Sequence, residues 1–243
     1  GDNGRYAGKT GITRVYGHAW MQNIMERDTL YITADTLVSV NIKKDSIRKL
    51  FAYKNVLIYK SDLSGRCDSL GYNVQDSIIH FYQKPILWTQ DSQSQADSIS
   101  LFMGNQKLKE MRLRGKSFVI SIDSTNQYNQ IKGRKIWVHF KEDSKLNRVN
   151  VEGNGESIYY VIDDKKATTG LNRVECSRMS LFFEDNAVKK IAFITKPEAK
   201  FVPPKEWKED LQQLDGFRWR ITEKPSLQTI LNRVEYQVLV KKP

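Results

Sequence analysis

The chain has 243 residues and carries 39 Lys and Arg against 28 Asp and Glu, a formal net charge of +11. Its 40% hydrophobic content excludes a disordered chain, and its two cysteines exclude both a disulfide scaffold and a zinc site made of cysteines alone. No run of about 18 apolar residues predicts a spanning helix. The positive charge favours acidic partners, although it also fits a protein that is merely soluble.

A tetrapeptide repeat organises most of the chain. Its copies are ADTL at 34–37, CDSL at 67–70 and ADSI at 96–99, followed by the degenerate GRKI at 133–136 and CSRM at 176–179. Apolar residues then alternate with polar ones, which predicts a strand with one buried face. The first copy breaks this alternation, because Leu37 is followed directly by Val38, and we expect a β-bulge or register change there.

Each predicted unit continues with a polar turn, a second strand and often a third. The second strands are predicted at 47–53, 77–83, 108–115, 146–153 and 188–195, and the third strands at 55–59, 85–88, 117–122 and 157–162. A unit of about 30 to 40 residues cannot bury its own apolar face, so neighbouring units must stack. The sequence therefore predicts an all-β protein of stacked, short antiparallel strands.

The C-terminal part lies outside the repeat. PPKEWKEDLQQL at 203–214 predicts a short helix, because Pro204 suits a first turn and apolar residues share one helical face. YQVLV at 236–240 predicts a last strand. We expect a repeated-strand domain at 1–198 and a C-terminal extension at 199–243 that caps the open end of the stack.

Residues that could carry catalysis are few. GRYAGKT at 4–10 is one residue shorter than a phosphate-binding loop and lacks a surrounding βαβ unit. His18, His80 and His139 fall in different repeats, at strand positions that we expect to face solvent. We predict no catalytic residue, no metal site and no cofactor.

The repeated Asp35, Asp68 and Asp97 could form a carboxylate ladder that binds calcium or serves acid–base chemistry. Each is followed by Ser or Thr, however, which favours a structural turn motif, and later copies lose the acid. Cys67 and Cys176 occupy the position held elsewhere by Ala or Gly. We therefore predict small residues in a tight interior, with both thiols buried and unbridged.

Several repeat units in register resemble the periplasmic lipopolysaccharide-transport family of OstA/LptA-like proteins and the N-terminal domain of LptD. The matching segments are ITADTL, AYKNVLIYKSDLSGRCDSLGY, MRLRGKSFVISID, YNQIKGRKIWVHF and VNVEGNGESIYY. They cover about residues 15–162, and their amino-acid sequences are most similar to those of OstA-like proteins of Bacteroidetes-type Gram-negative bacteria.

This resemblance implies an elongated, partly open β-jellyroll, or β-taco, whose two sheets hold the acyl chains of lipid A in an apolar groove. The expected function is non-enzymatic transport of lipopolysaccharide toward the outer membrane by an exported periplasmic protein whose signal peptide is absent from this sequence. The residues expected to line the groove are Leu70, Ile99, Leu101, Phe118, Ile120, Ile136, Val138, Met179 and Leu181. They would equally suit a closed core.

Cations near the groove mouth would pair with the phosphates of the lipid. The candidates are Lys54, Arg112, Arg114, Lys116 and Arg134. The resemblance also implies partners that pair by edge strands, either a second copy or another jellyroll transport protein.

Three other functions compete with this one. A β-solenoid that binds carbohydrate or protein as a scaffold module is the main alternative. A β-helix enzyme acting on acidic polysaccharide is disfavoured because no carboxylate ladder persists, and nucleic acid is not an expected partner because aromatic and basic residues form no compact platform.

Overall fold

The computed structural model describes residues 1–25, 28–42, 47–89, 91–105, 107–143, 145–185 and 187–240. Strands dominate, and within these ranges helices lie only at the C-terminal end, which confirms the predicted all-β class. The strands are β1 (Asn3–Ala7), β2 (Ile12–Ile24), β3 (Thr29–Ile42), β4 (Ile47–Lys60), β5 (Leu63–Asn73), β6 (Ile78–Tyr82), β7 (Ile86–Thr89), β8 (Ser92–Gln95), β9 (Ser98–Gly104), β10 (Lys107–Ile122), β11 (Tyr128–Phe140), β12 (Leu146–Ile162), β13 (Thr168–Glu184), β14 (Ala187–Ile194) and β15 (Glu198–Val202).

The chain divides into two compact units. Unit 1 comprises residues 1–90, 98–102 and 222–243, and unit 2 comprises 91–97 and 103–221. In unit 1, β1 to β6 pair in chain order and β9 follows β6. In unit 2, β10 to β14 pair in chain order, β8 pairs with β10, and β15 pairs with β13. The predicted domain boundary at residue 198 lies within unit 2.

Most long strands are interrupted near their middle by a shift in pairing register. Between β10 and β11, Arg114 pairs with Lys135 but Ser117 pairs with Gly133, so two residues of β10 oppose the single residue Arg134. Comparable shifts occur in β2, β3, β4, β5, β12 and β13. Because a β-bulge bends the strand that contains it, each shift marks a corner.

The corners carry consecutive residues with positive φ. In β10 these are Gly115 (φ +73°) and Lys116 (φ +44°), and in β4 they are Lys54 (φ +62°) and Asn55 (φ +50°). The other such pairs are Gly17–His18, Gln83–Lys84, Gly153–Asn154 and Thr195–Lys196. Left-handed backbone suits Gly and Asn but strains most other residues. The strands β2, β4, β10 and β12 and the connections β6–β7 and β14–β15 therefore turn through the same unusual conformation.

The corners divide each unit into two walls, which we call wall A and wall B. In unit 1, wall A contains 12–16, 36–42, 47–53, 69–73, 78–82 and 98–102, and wall B contains 19–24, 29–34, 56–60, 63–67 and 86–88. In unit 2, wall A contains 107–114, 135–140, 146–152, 178–184 and 187–194, and wall B contains 92–95, 117–122, 128–133, 155–162, 168–176 and 198–202.

The repeated aspartates belong to these corners, which supports their structural interpretation. The backbone N–H of Asp97 donates to the carbonyl of Gly115 (2.8 Å), and a Cβ at Gly115 would overlap the Asp97 carboxylate. In unit 1, Asn55 Nδ2 donates to Asp35 Oδ2 (2.9 Å). The repeat therefore places a short polar side chain against the left-handed corner of the next strand.

The small residues of the repeat face crowded interiors, as predicted. Ala34 is fully buried, and Cys176 is 7% exposed. A Cβ at Gly133 would collide with Cγ1 of Val151. Both cysteines are unbridged, as predicted, although Cys67 is only half-buried by exposed fraction. Burial, together with the charge of Asp68, raises the pKa of the Cys67 thiol to about 12.

Two local predictions were wrong. The predicted second and third strands at 47–53 and 55–59 are one bent strand, β4, and the same fusion occurs in β10 and β12. Pairing is also regular just after Leu37, where a bulge was expected; the register shift of β3 instead lies between Thr33 and Thr36. The corner, rather than a chain reversal, accounts for the break in the hydrophobic pattern.

The C-terminal part contains a short helix, as predicted, but the predicted last strand is wrong. The segment 203–214 forms only a 3₁₀ turn (Pro204–Glu206) and one turn of helix, α1 (Glu209–Gln212). A second 3₁₀ turn (Ile221–Glu223) precedes α2 (Leu227–Val240), which includes the residues 236–240 predicted as a strand. Ser226 starts this helix, because its Oγ accepts from the backbone N–H of Thr229 (3.1 Å). No helix in the described ranges is long and apolar enough to cross a membrane.

Replacing Gly115 with alanine tests the corner. The new Cβ would strain a φ of +73° and overlap Asp97, so we expect a loss of about 1–3 kcal/mol in the free energy of unfolding. Chemical denaturation followed by circular dichroism measures it. Gly71→Ala is the matched control, because a Cβ there would make an ordinary 3.6 Å contact with Phe51. Equal stability of both variants would contradict the proposed role of the corner.

Candidate functional site

The inner face of wall A in unit 1 carries an apolar row that crosses six strands. Direct cross-strand pairing joins Val15, Leu37, Ala52, Leu70, Phe81 and Ile99. A second row ends with Tyr72, Ile79 and Leu101. The three candidates in this unit, Leu70, Ile99 and Leu101, are at most 1% exposed.

Unit 2 repeats this arrangement over five strands. One row joins Leu113, Ile136, Val151, Met179 and Phe193, and the next joins Met111, Val138, Val149, Leu181 and Ile191. Four predicted groove residues, Ile136, Val138, Met179 and Leu181, therefore lie in two adjacent rows of one wall. All four are at most 3% exposed.

Wall B of unit 2 presents small residues to these rows. A Cβ built on Gly155 would lie 3.1 Å from Cε of Met179 and 3.4 Å from Cγ1 of Val151. At Gly133 a Cβ would meet Val151 as well. The backbone of wall B thus approaches Val151 and Met179 of wall A closely beside the corner.

Phe118 and Ile120 were expected on the same face as the other candidates, but the structure places them elsewhere. They form a cluster with other buried residues, and the partly buried residues around it come largely from the C-terminal segment. The cluster is Phe118, Ile120, Ile158, Tyr160, Leu171, Val202 and Leu214, with Tyr128, Trp207, Leu211, Phe217 and Trp219 against it. Ser117 pairs with Gly133, whose Cβ would face Val151 of wall A, so Ser117 lies on the inner face. Neighbouring residues on a strand point to opposite faces, so Phe118 and Ile120 lie on the outer face of wall B.

The C-terminal segment 203–220, which we call the strap, covers that outer face. Two fully buried glutamines hold it. Gln130 Nε2 donates to the carbonyl of Gln212 (2.7 Å), and Gln130 Oε1 accepts from the N–H of Leu214 (2.8 Å). Gln93 makes the equivalent pair: its Nε2 donates to the carbonyl of Arg218 and its Oε1 accepts from the N–H of Arg220, at 2.7 Å each. Each amide therefore pairs with the strap as a neighbouring strand would.

An outer face is covered in unit 1 as well, by helix α2. Arg233 donates from Nη1 to Oγ1 of Thr33 (3.1 Å) and to the carbonyl of Asn55 (2.7 Å), and its guanidinium lies 3.6 Å from Asp35. Parts of the C-terminal extension, the strap in unit 2 and α2 in unit 1, thus lie along strand faces, and its predicted role as a cap stays a prediction. Sequence reasoning missed this because buried Gln and Thr side chains give no periodic signal.

The candidate headgroup cations do not form one site. Lys54 lies at a corner of unit 1 and is exposed, whereas the other four belong to unit 2. Arg112 is half-buried and pairs with Glu110. Arg114, Lys116 and Arg134 are exposed near one corner, where Lys135 is the direct cross-strand neighbour of Arg114. Unit 2 therefore carries a compact basic corner.

Unit 2 also contains an open polar pocket of about 360 Å³ beside the corner of β12 and β13. Glu156, Glu175 and Glu198 line it and occupy directly paired positions on three strands. Lys132 Nζ lies 3.0 Å from the Glu156 carboxylate. Among the residues that the structure describes, no group of three or more His, Cys, Asp or Glu side chains could hold a metal ion.

The histidines have separate surroundings. His80 lies on the outer face of wall A, where it is half-buried and shares a hydrogen bond with Ser100 Oγ (2.8 Å). His18 is exposed and lies 3.2 Å from Asp2, and His139 is partly exposed, 3.7 Å from Glu110.

No protein-family model matches the chain, and a search of curated proteins also found no match. The resemblance to the lipopolysaccharide-transport family therefore stays a prediction.

Replacing Gln130 with leucine tests how the strap is held. The variant would leave the N–H of Leu214 and the carbonyl of Gln212 without a partner, which costs about 1–3 kcal/mol for each buried group. We expect a lower unfolding free energy and faster tryptic cleavage after Arg218 and Arg220. The exposed Gln22→Leu is the control and should change neither measurement. Unchanged cleavage in Gln130→Leu would show that the amide does not hold the strap.

Proposed function

We propose that this protein binds the acyl chains of a lipid between the two walls of its bent sheets and passes the lipid on without catalysing a reaction. The proposed cargo is lipopolysaccharide, moving toward the outer membrane through the periplasm. This combines the walls described above with the resemblance of the repeat units to the transport family.

One observation carries the proposal: an apolar row crosses six strands of wall A in unit 1 without a charged residue. Burial of each acyl CH₂ contributes about 0.8 kcal/mol, so affinity for an acyl chain depends on the length of continuous apolar contact. A row that extends from strand to strand supplies such length, whereas a small closed pocket does not.

Insertion of an acyl chain requires side chains of wall A to repack, because most residues of its inner rows are already buried among protein atoms. Met111 and Met179 lie in adjacent rows of unit 2 and are at most 3% exposed. Methionine is unbranched and adapts to different packing partners. These two side chains are suited to repacking around a guest chain.

Charge and strand edges support the remaining parts of the proposal. The net charge of +11 and the basic corner at Arg114, Lys116 and Arg134 suit a phosphorylated lipid. In unit 2, β14 ends its sheet and Ile194 is 42% exposed there. An exposed edge of this kind can pair with a second copy or with another jellyroll.

A scaffold module that binds carbohydrate or protein is the second candidate. The observation that favours it is the complete burial of inner-row residues such as Ile99 and Ile136, which are 0% exposed. In that case the rows would be a permanent core and binding would occur on outer faces.

A photoreactive amino acid at Val138 separates these candidates. Val138 points into unit 2, whereas its neighbour Trp137 points outward and serves as the matched control. In cells producing lipopolysaccharide, we expect irradiation to yield lipopolysaccharide adducts at position 138 and far fewer at position 137. Circular dichroism of both variants checks that the fold is retained.

Adducts at 137 and 138 in equal yield, or none at 138 in a folded variant, would contradict transport between the walls. The same distinction can be made in solution by comparing intact lipopolysaccharide with acyl-stripped lipopolysaccharide. Transport between the walls requires that removal of the acyl chains abolishes binding to the interior.

A further inference from the structure

The outer face of wall A in unit 1 carries tyrosines on every second strand. Cross-strand pairing forms a straight row, in which Tyr16, Tyr53 and Tyr82 alternate with small hydroxyl residues. The complete row is Asn3, Tyr16, Thr36, Tyr53, Ser69, Tyr82 and Ser98. Since adjacent strands lie about 4.8 Å apart, the tyrosines recur about every 9.6 Å.

These rings are open to solvent. Tyr53 is 45% exposed, Tyr82 is 44% exposed and Tyr16 is 37% exposed. Phe51 stacks beside Tyr53 with ring centroids 6.4 Å apart, and His80 lies 6.1 Å from Tyr82. A second row therefore widens the aromatic surface on the same face.

The residues between the rings are small, so their side chains do not project above the rings. Gly71 lies between Phe51 and His80 in the second row, and Thr36 and Ser69 flank Tyr53 in the first. Such hydroxyl groups both donate and accept hydrogen bonds. The face thus alternates flat apolar rings with hydrogen-bonding groups.

The charges within the rows of this face are of one sign, whereas the repeat acids Asp35 and Asp68 lie at the corner beside the first row, where Asp35 faces Asn55 and Arg233. Arg5, Arg14 and Lys49 occupy its rows, and no position paired across these rows in the described strands is acidic. The corresponding outer face of unit 2 differs, because it carries Glu110 and Glu152 among its cations. The tyrosine face therefore complements a ligand with negative charge.

We propose that this face, which we call the tyrosine platform, binds an acidic polysaccharide chain that lies across the strands. Pyranose rings present flat C–H faces that stack on aromatic side chains, and a spacing of two strands is comparable to the advance of a disaccharide in an extended chain. Hydroxyl groups between the rings would bind sugar hydroxyls, and Arg14 and Lys49 would pair with carboxylates. This site is independent of the proposed lipid interior.

The test uses the whole chain and a double variant, Tyr53→Val with Tyr82→Val. Valine keeps strand propensity, so the sheet should persist, and thermal unfolding verifies it. Tyr6→Val is the matched control, because Tyr6 is 70% exposed but pairs with Thr13 on the opposite face of the sheet. The probes are a galacturonic acid hexamer, neutral cellohexaose and polyglutamate, titrated by calorimetry at one ionic strength.

We expect the galacturonic acid hexamer to bind the wild-type protein more tightly than either other probe. The double variant should lose about tenfold or more in that affinity, since it removes two aromatic contacts. The Tyr6→Val variant should retain the wild-type affinity, and polyglutamate affinity should be the same for all three proteins.

Three results would overturn the proposal. Polyglutamate binding as tightly as the hexamer would show attraction to the net charge alone. Equal affinity for cellohexaose would show that the acidic groups play no part. Equal losses in Tyr6→Val and in the folded double variant would show that the platform is not the site.

Discussion

The left-handed corner is the constraint on which the rest of the structure depends. A corner such as Gly115–Lys116 sets two residues of one strand against a single residue of the next, and the bulge bends the strand that contains it. The repeat supplies its partners, because Asp97 contacts Gly115 and Asp35 contacts Asn55. The tetrapeptide resembles a turn motif in sequence. In the structure it contacts the corners at which long strands bend, and each bent strand therefore contributes to two facing walls.

Two walls create three kinds of surface, and the sequence assigns each a different chemistry. Inner faces carry the apolar rows. The outer face of wall B is covered in unit 2 by the strap, which Gln93 and Gln130 hold, and in unit 1 by α2, which Arg233 holds. The outer face of wall A stays exposed. It is aromatic and basic in unit 1, so the proposed lipid and polysaccharide sites lie on opposite faces of that wall.

Sequence patterns predicted the strands, the small interior residues and the structural role of the aspartates, because each depends on local alternation or short spacing. They did not reveal that Lys54–Asn55 is a corner within one strand, since many residue types occur at such corners. They also misassigned Phe118 and Ile120. Both faces of that wall bear apolar residues, and the strap that covers one of them lies about 90 residues further along the chain. The start of helix α2 is set by the Ser226 cap, whereas the alternation of apolar residues at 236–240 predicted a strand.

Whether acyl chains lie between the walls is the central question, and methyl NMR answers it most directly. The methyl groups of Met111 and Met179 lie in the interior of unit 2, so they can report on a guest without any substitution. We predict intermolecular nuclear Overhauser effects between these methyl groups and the acyl chains of bound lipid A. Saturating lipid A that gives no such effect at either methionine would contradict the account.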